Sequence, residues 1–258
     1  WDVDSKRGTL FAMIGIIDTI IEHFLEIIVF AFVAWLVIKG FYDGASKVML
    51  NLVTMGLAAA ISTYLLPGVA KIIGDYTFFD ELVRATMLKS IGLANIPARL
   101  DRSASQGTYI GALKTTAEIK KFLQTNNTEL IWRTINALDF RTYASKVMGN
   151  IVLNLILFLI LFGISYFALY WGAEKAKIKD KLPPNKGLAQ LGGAILGLGQ
   201  AMFILWLFSY ALVALSGISL GQWFFHQFYK KDLLQWIFNN NLLDYIIRAR
   251  IYVLQLGK

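Results

Sequence analysis

The chain has 258 residues, 57% hydrophobic and only 16% charged, with a net charge of +8 and no cysteine. A charged fraction so far below the ~25% of average soluble domains argues against a water-soluble fold, and the missing thiols exclude disulfides, cysteine nucleophiles and thiolate metal sites. The basic excess is scattered over connections without an aromatic-interleaved basic platform, which points to anionic lipid and away from nucleic acid.

Taken in chain order, 1–20 opens with the polar cluster Asp2–Arg7 and turns apolar at helical spacing, as an interfacial lead-in or an outward extension of the first span. No cleavable leader is expected, since Gly8–Ile38 is too long and too acidic for a signal pattern. The first span is predicted near Ile21–Ile38, ending at Lys39-Gly40, with a tight connection Phe41–Lys47 turned at Asp43-Gly44. The second is predicted over Val48–Val69, closed by Pro67-Gly68. Val48–Ala70, Val147–Ala173 and Gly187–Tyr229 contain no Asp, Glu, Lys or Arg, and a hydrocarbon core about 30 Å thick needs about 20 apolar helical residues. Runs this long, without strand alternation, satisfy the backbone in lipid only as helices.

Residues 71–146 are too long for a structureless loop. Apolar faces at helical spacing are predicted over Phe78–Ile91, Ala117–Leu123 and Leu130–Leu138, the last with Thr128 as N-cap, around a polar stretch Gly92–Gly111. They form a small helical cap outside the membrane. A third span over Val147–Ala168 and a basic connection with Lys175, Lys177, Lys179, Lys181 and Lys186 follow. The fourth span, Leu188–Ala211, is expected to break at Ser216–Ser219. Beyond it, aromatic and amphipathic segments over 216–258 are predicted to lie in the interface. Lysine excess in the short connections puts them in the cytoplasm, and both termini and the cap outside.

Three sets of residues stand out. Asp18, Glu22 and Glu26, with His23 beside them, form an acidic stripe at i, i+4, i+8. The stripe either lines a cation route or, as the blander alternative, pairs with basic groups near the headgroups. Ala189, Gly193, Gly197 and Ala201 make a small-residue ridge on the fourth span, suited to close helix packing, with Gly56 and Ala60 of the second span as the expected partner and a dimer seam as the alternative. Trp132, Trp223, Phe224, Phe225, Trp236 and Tyr245 are the candidate docking surface. Asn150 and Asn154 are expected to act as hydrogen-bonding glue between spans. No Walker loop, HExxH or Gly-x-Ser-x-Gly pattern is present, so no catalytic residue, metal or cofactor is expected.

Lys39-Gly40-Phe41-Tyr42-Asp43-Gly44 after the first span resembles a basic-glycine turn of the colicin V production protein (CvpA) family. The glycine-rich run from Lys181-Leu182-Pro183-Pro184 through Gly192-Gly193 and Gly197 to Gln200 is similar to that family's opening of its last span. Ser219 onward, with Leu233-Leu234 and Leu242-Leu243, resembles its polar turn and amphipathic tail. The resemblance implies a bacterial cytoplasmic-membrane protein linked to toxin-peptide production or export and to envelope upkeep, with no catalytic residues to carry over.

The expectation is therefore an all-α, four-helix transmembrane bundle with an extracytoplasmic helical cap and interfacial amphipathic C-terminal helices. It would be a non-enzymatic docking scaffold or export accessory, in contact with membrane lipid and with protein partners or further copies of itself. A small channel or transporter using the acidic stripe is the alternative.

Overall fold

The computed structural model describes residues 2–76, 82–83, 85–86, 104–113, 117–183, 187–215, 223–224, 228, 231–243 and 247. Among them all regular structure is helical: α1 (Asp2–Asp43), α2 (Ala45–Tyr76), α3 (Ala104–Ala112), α4 (Ala117–Thr125), α5 (Glu129–Thr134), α6 (Phe140–Lys175), a 3-10 turn at Lys179–Lys181, α7 (Leu188–Ala214) and α8 (Asp232–Asn239). Four of these are long and apolar enough to cross a membrane, over His23–Asp43, Ala45–Ile73, Phe140–Lys175 and Leu188–Ala214. The protein is a helical membrane bundle.

The helices overrun the predicted spans, and the overruns of α2 and α6 have a local cause. Residues 2–20 are the outward extension of the first span rather than a separate lead-in, because α1 continues unbroken from Asp2. Pro67-Gly68 does not close α2. Proline removes one backbone donor, but Leu66 and Ala70 on either side of it are fully buried. That packing holds the axis through the lost bond. At the start of α6, Asp139 caps the helix by accepting from the Thr142 amide at 2.7 Å, so the span begins seven residues before Val147. Thr128 caps α5 as the sequence predicts, although the helix stops at Thr134 and Asn136 adopts a positive φ of 50°. The polar stretch Gly92–Gly111 yields α3 in its second half, and Leu82, Val83, Ala85 and Thr86 are helical within Phe78–Ile91. The remainder of those two segments lies outside the described residues.

α1 and α2 are joined by Gly44 alone. Its φ of +78° is a conformation glycine reaches without penalty, and its amide donates to the Gly40 carbonyl at 2.8 Å. After this corner α1 and α2 barely touch. α7 packs chiefly on α1, and α2 packs on both α6 and α7. The fourth span is thus seated between the first two.

The ends of the bundle follow from this order. One holds the α1–α2 corner and the α6–α7 connection. The other holds the cap and the tail, which are built into the core. Tyr143 of α6 is fully buried, donates its hydroxyl to the Leu123 carbonyl at 2.7 Å and stacks on Trp132 at 5.6 Å. Lys146 donates to the carbonyls of Ile135 and Asn136. The tail docks on α7: Asn241 is buried and donates to the Trp206 carbonyl and to Ser209 Oγ, while Phe228, Leu234, Leu243 and Ile247 are buried. It therefore does more than lie in the interface.

Candidate functional site

The small-residue ridge of α7 is a helix contact, with a partner other than the one expected. Gly193 and Gly197 are buried against α1, not α2, and Ala201 is fully buried. A Cβ on Gly193 would overlap the Gly40 carbonyl oxygen and stand 2.8 Å from Gly44 Cα. One on Gly197 would stand 2.5 Å from the Leu36 carbonyl oxygen. Ala189 is half-buried at the start of the ridge. Gly56 and Ala60 face outward, and a Cβ on Gly56 would meet nothing within 4 Å. The second span is displaced because α7 occupies the crevice with its glycine face toward α1. Asn150 and Asn154 are buried in α6.

The acidic stripe sits at the cap end. Glu26 Oε2 meets His23 Nδ1, and Lys231 Nζ at the start of α8 lies 4.0 Å from the same oxygen. Glu26 and Lys231 are both mostly shielded from solvent, so their attraction is screened less than at an open surface. In the described part, the stripe ties the tail to α1. The side chains of Asp18 and Glu22 lie outside the described residues.

The aromatic set divides. Trp132 is corrected from docking residue to core residue: it is buried on Tyr143, and its indole N–H donates to Asn127 Oδ1 at 2.8 Å. Trp223 and Trp236 are exposed, Phe224 is half-buried with its ring edge-on to Trp223 at 4.8 Å, and Phe225 and Tyr245 lie outside the described residues.

At the loop end the corner creates something the sequence reading did not assemble. A half-open polar cavity of about 630 Å³ is lined by Lys39 and Asp43 of α1, Lys47 and Asn51 of α2, Tyr166 and Tyr170 of α6, Asp180 of the 3-10 turn and Gln200 of α7. Two lysines, two aspartates, two side-chain amides and two tyrosines thus line one space. Lys39, Asp43, Lys47 and Asn51 recur every fourth residue. Gly44 bends that row around the cavity instead of leaving it on one helix face. Tyr166 and Tyr170, one turn apart with ring centroids 6.1 Å from each other, continue an aromatic row from Phe162. Gln200 is twelve residues past Leu188, about 18 Å along the helix axis, so the cavity reaches well into the span.

Lys47 enters the sequence reading as a marker of sidedness, and Lys39 as that and as the start of the basic-glycine turn. Asn51, Tyr166, Tyr170 and Gln200 were missed. A signal existed for Asn51 and Gln200, because polar amides inside long charge-free runs are costly in lipid unless they face a polar space or a partner. Nothing local shows that the two runs meet.

With this geometry in hand, no protein-family model, curated protein or solved structure matches the chain, so membership in the colicin V production family stays an expectation from the residues.

Proposed function

We propose that this protein is a non-enzymatic component of a bacterial cytoplasmic membrane that docks a partner protein at its cap end, as an accessory to toxin-peptide production or export and to envelope upkeep. The lysine-rich connections support a cytoplasmic loop end, with the cap, tail and termini outside. One observation carries the docking reading. Cap and tail are fixed to the spans by buried hydrogen bonds, yet they hold large apolar side chains in the open: Leu138 is 94% exposed and Trp236 57%. A fixed apolar surface binds at low ordering cost, and exposed tryptophans are the usual anchors of such contacts.

The test is crosslinking and gentle-detergent capture from native membranes, followed by mass spectrometry, with a paired Leu138→Ser and Trp236→Ala variant. Recovery of one dedicated partner by the wild type, lost in the variant, supports docking. The channel alternative predicts ion flux in proteoliposomes that falls with Glu26→Gln. Such flux, or partner capture unchanged in the variant, overturns the docking reading. Sharing of Glu26 between His23 and Lys231 favours a tether over a route.

A further inference from the structure

We propose that the loop-end cavity binds a zwitterion that joins a phosphate to a primary ammonium, and that its source is the phosphoethanolamine headgroup of a membrane lipid. The site lies at the end of the bundle opposite the docking surface and does not depend on that reading.

The chemistry of the lining selects the ligand. Lys39 and Lys47 supply ammonium donors for a phosphate, and the amides of Asn51 and Gln200 add neutral donors. Asp43 and Asp180 supply acceptors for a cation, and the rings of Tyr166 and Tyr170 add an aromatic face. Among the described residues Lys39, Lys47, Asp43 and Asp180 form no ion pair with one another, so both signs of charge are presented to the space. A plain anion would answer the lysines and face the two carboxylates; a plain cation would do the reverse. A ligand with both charges a few ångströms apart answers both.

Position selects the source. Lys39 Nζ lies 5.4 Å over the Trp35 ring, and Lys175 Nζ lies 5.6 Å over the Trp171 ring. Both indoles are more than half exposed, on the outer surface of spans one turn from their lysines. Tryptophan and lysine paired in this way mark headgroup depth. The mouth of the cavity is therefore level with lipid headgroups, and a volume of about 630 Å³ falls in the ordinary range for small-ligand sites.

The experiment is native mass spectrometry of the full chain in detergent. The protein is titrated with dioleoyl phosphatidylethanolamine, dioleoyl phosphatidylglycerol or dioleoyl phosphatidylcholine, with and without soluble phosphoethanolamine. The ethanolamine lipid is expected to bind about tenfold tighter than the glycerol lipid, whose headgroup lacks the ammonium. It should also bind tighter than the choline lipid, whose quaternary nitrogen cannot donate hydrogen bonds to Asp43 and Asp180. Lys47→Gln should weaken the ethanolamine lipid about tenfold, the scale of one charge-assisted hydrogen bond. Asp180→Asn should erase the preference over the glycerol lipid. Both substituted side chains are exposed, so folding is not at stake, and Lys177→Gln outside the lining should bind as the wild type does. Lipid retention that soluble phosphoethanolamine does not displace supports the headgroup as source. Displacement at equal concentration overturns that source in favour of a free zwitterion. Equal or tighter binding of the glycerol lipid, or unchanged binding by Lys47→Gln and Asp180→Asn, overturns the proposal.

Discussion

The contact of α7 with α1 and the core around α6 hold spans together by opposite means. Along α7, glycines remove side chains so that the backbones of Gly193 and Gly197 touch those of Gly40, Gly44 and Leu36. Around the first half of α6 the space is filled by large rings and aliphatic groups, with Phe140, Tyr143, Met148, Ile151 and Phe158 almost wholly buried. Phe158 meets Phe162 and Tyr210 at centroid distances of 6.3 Å. In lipid no hydrophobic force draws apolar helices together, so both contacts depend on fit. They fail differently. A backbone contact has no rotamer to give way, whereas an interlocked core loses packing in proportion to the volume removed.

The largest expected effect is on the filled side. Tyr143→Ala should cost about 4 kcal/mol of unfolding free energy in mixed micelles, because it leaves a ring-sized void between the span and the cap. Proteolysis between α3 and α5 should accelerate in parallel. Gly193→Val comes next, at about 3 kcal/mol, since its Cβ would meet two stretches of backbone at the corner. Crosslinking between cysteines placed on α1 and α7 should fall while the cap stays protected; loss of both together would mean that the two contacts are one cooperative unit. Tyr143→Phe sharpens the first result by removing only the hydroxyl donated to Leu123, with an expected cost of about 1 kcal/mol. The smallest effect belongs to Gly56→Ala, where the added methyl enters open space on an outward helix face. Stability should be unchanged or rise by up to about 1 kcal/mol, the helix-propensity difference between the two residues. A loss there would place a partner helix against α2.

The same contrast explains what could be read in advance. The ridge Ala189, Gly193, Gly197 and Ala201 was legible because small residues four apart have one strong use in a span. Its partner was not, because the choice between α1 and α2 depends on where the corner at Gly44 sends the second helix. Trp132 looked like a surface anchor since tryptophan suits interfaces. Only the fold reveals that Asn127 and Tyr143 satisfy it inside the cap. The overrun of α6 was signalled by Asp139-Phe140-Arg141-Thr142, a capping sequence that hydropathy ignores.

The sequence by itself determined that four helices cross a membrane, that a helical cap separates the second from the third, and that the fourth carries a face for close approach. These follow from hydrophobic length, capping residues and spacing, which act within a few turns of one helix. Only the tertiary structure decided that α7 sits between α1 and α2, that Glu26 faces Lys231, and that Lys39, Lys47, Asp43, Asp180 and Gln200 line one cavity. Each of those facts depends on the relative placement of segments many residues apart. That placement is set by the left-handed corner at Gly44 and by the fit of surfaces that no local stretch encodes.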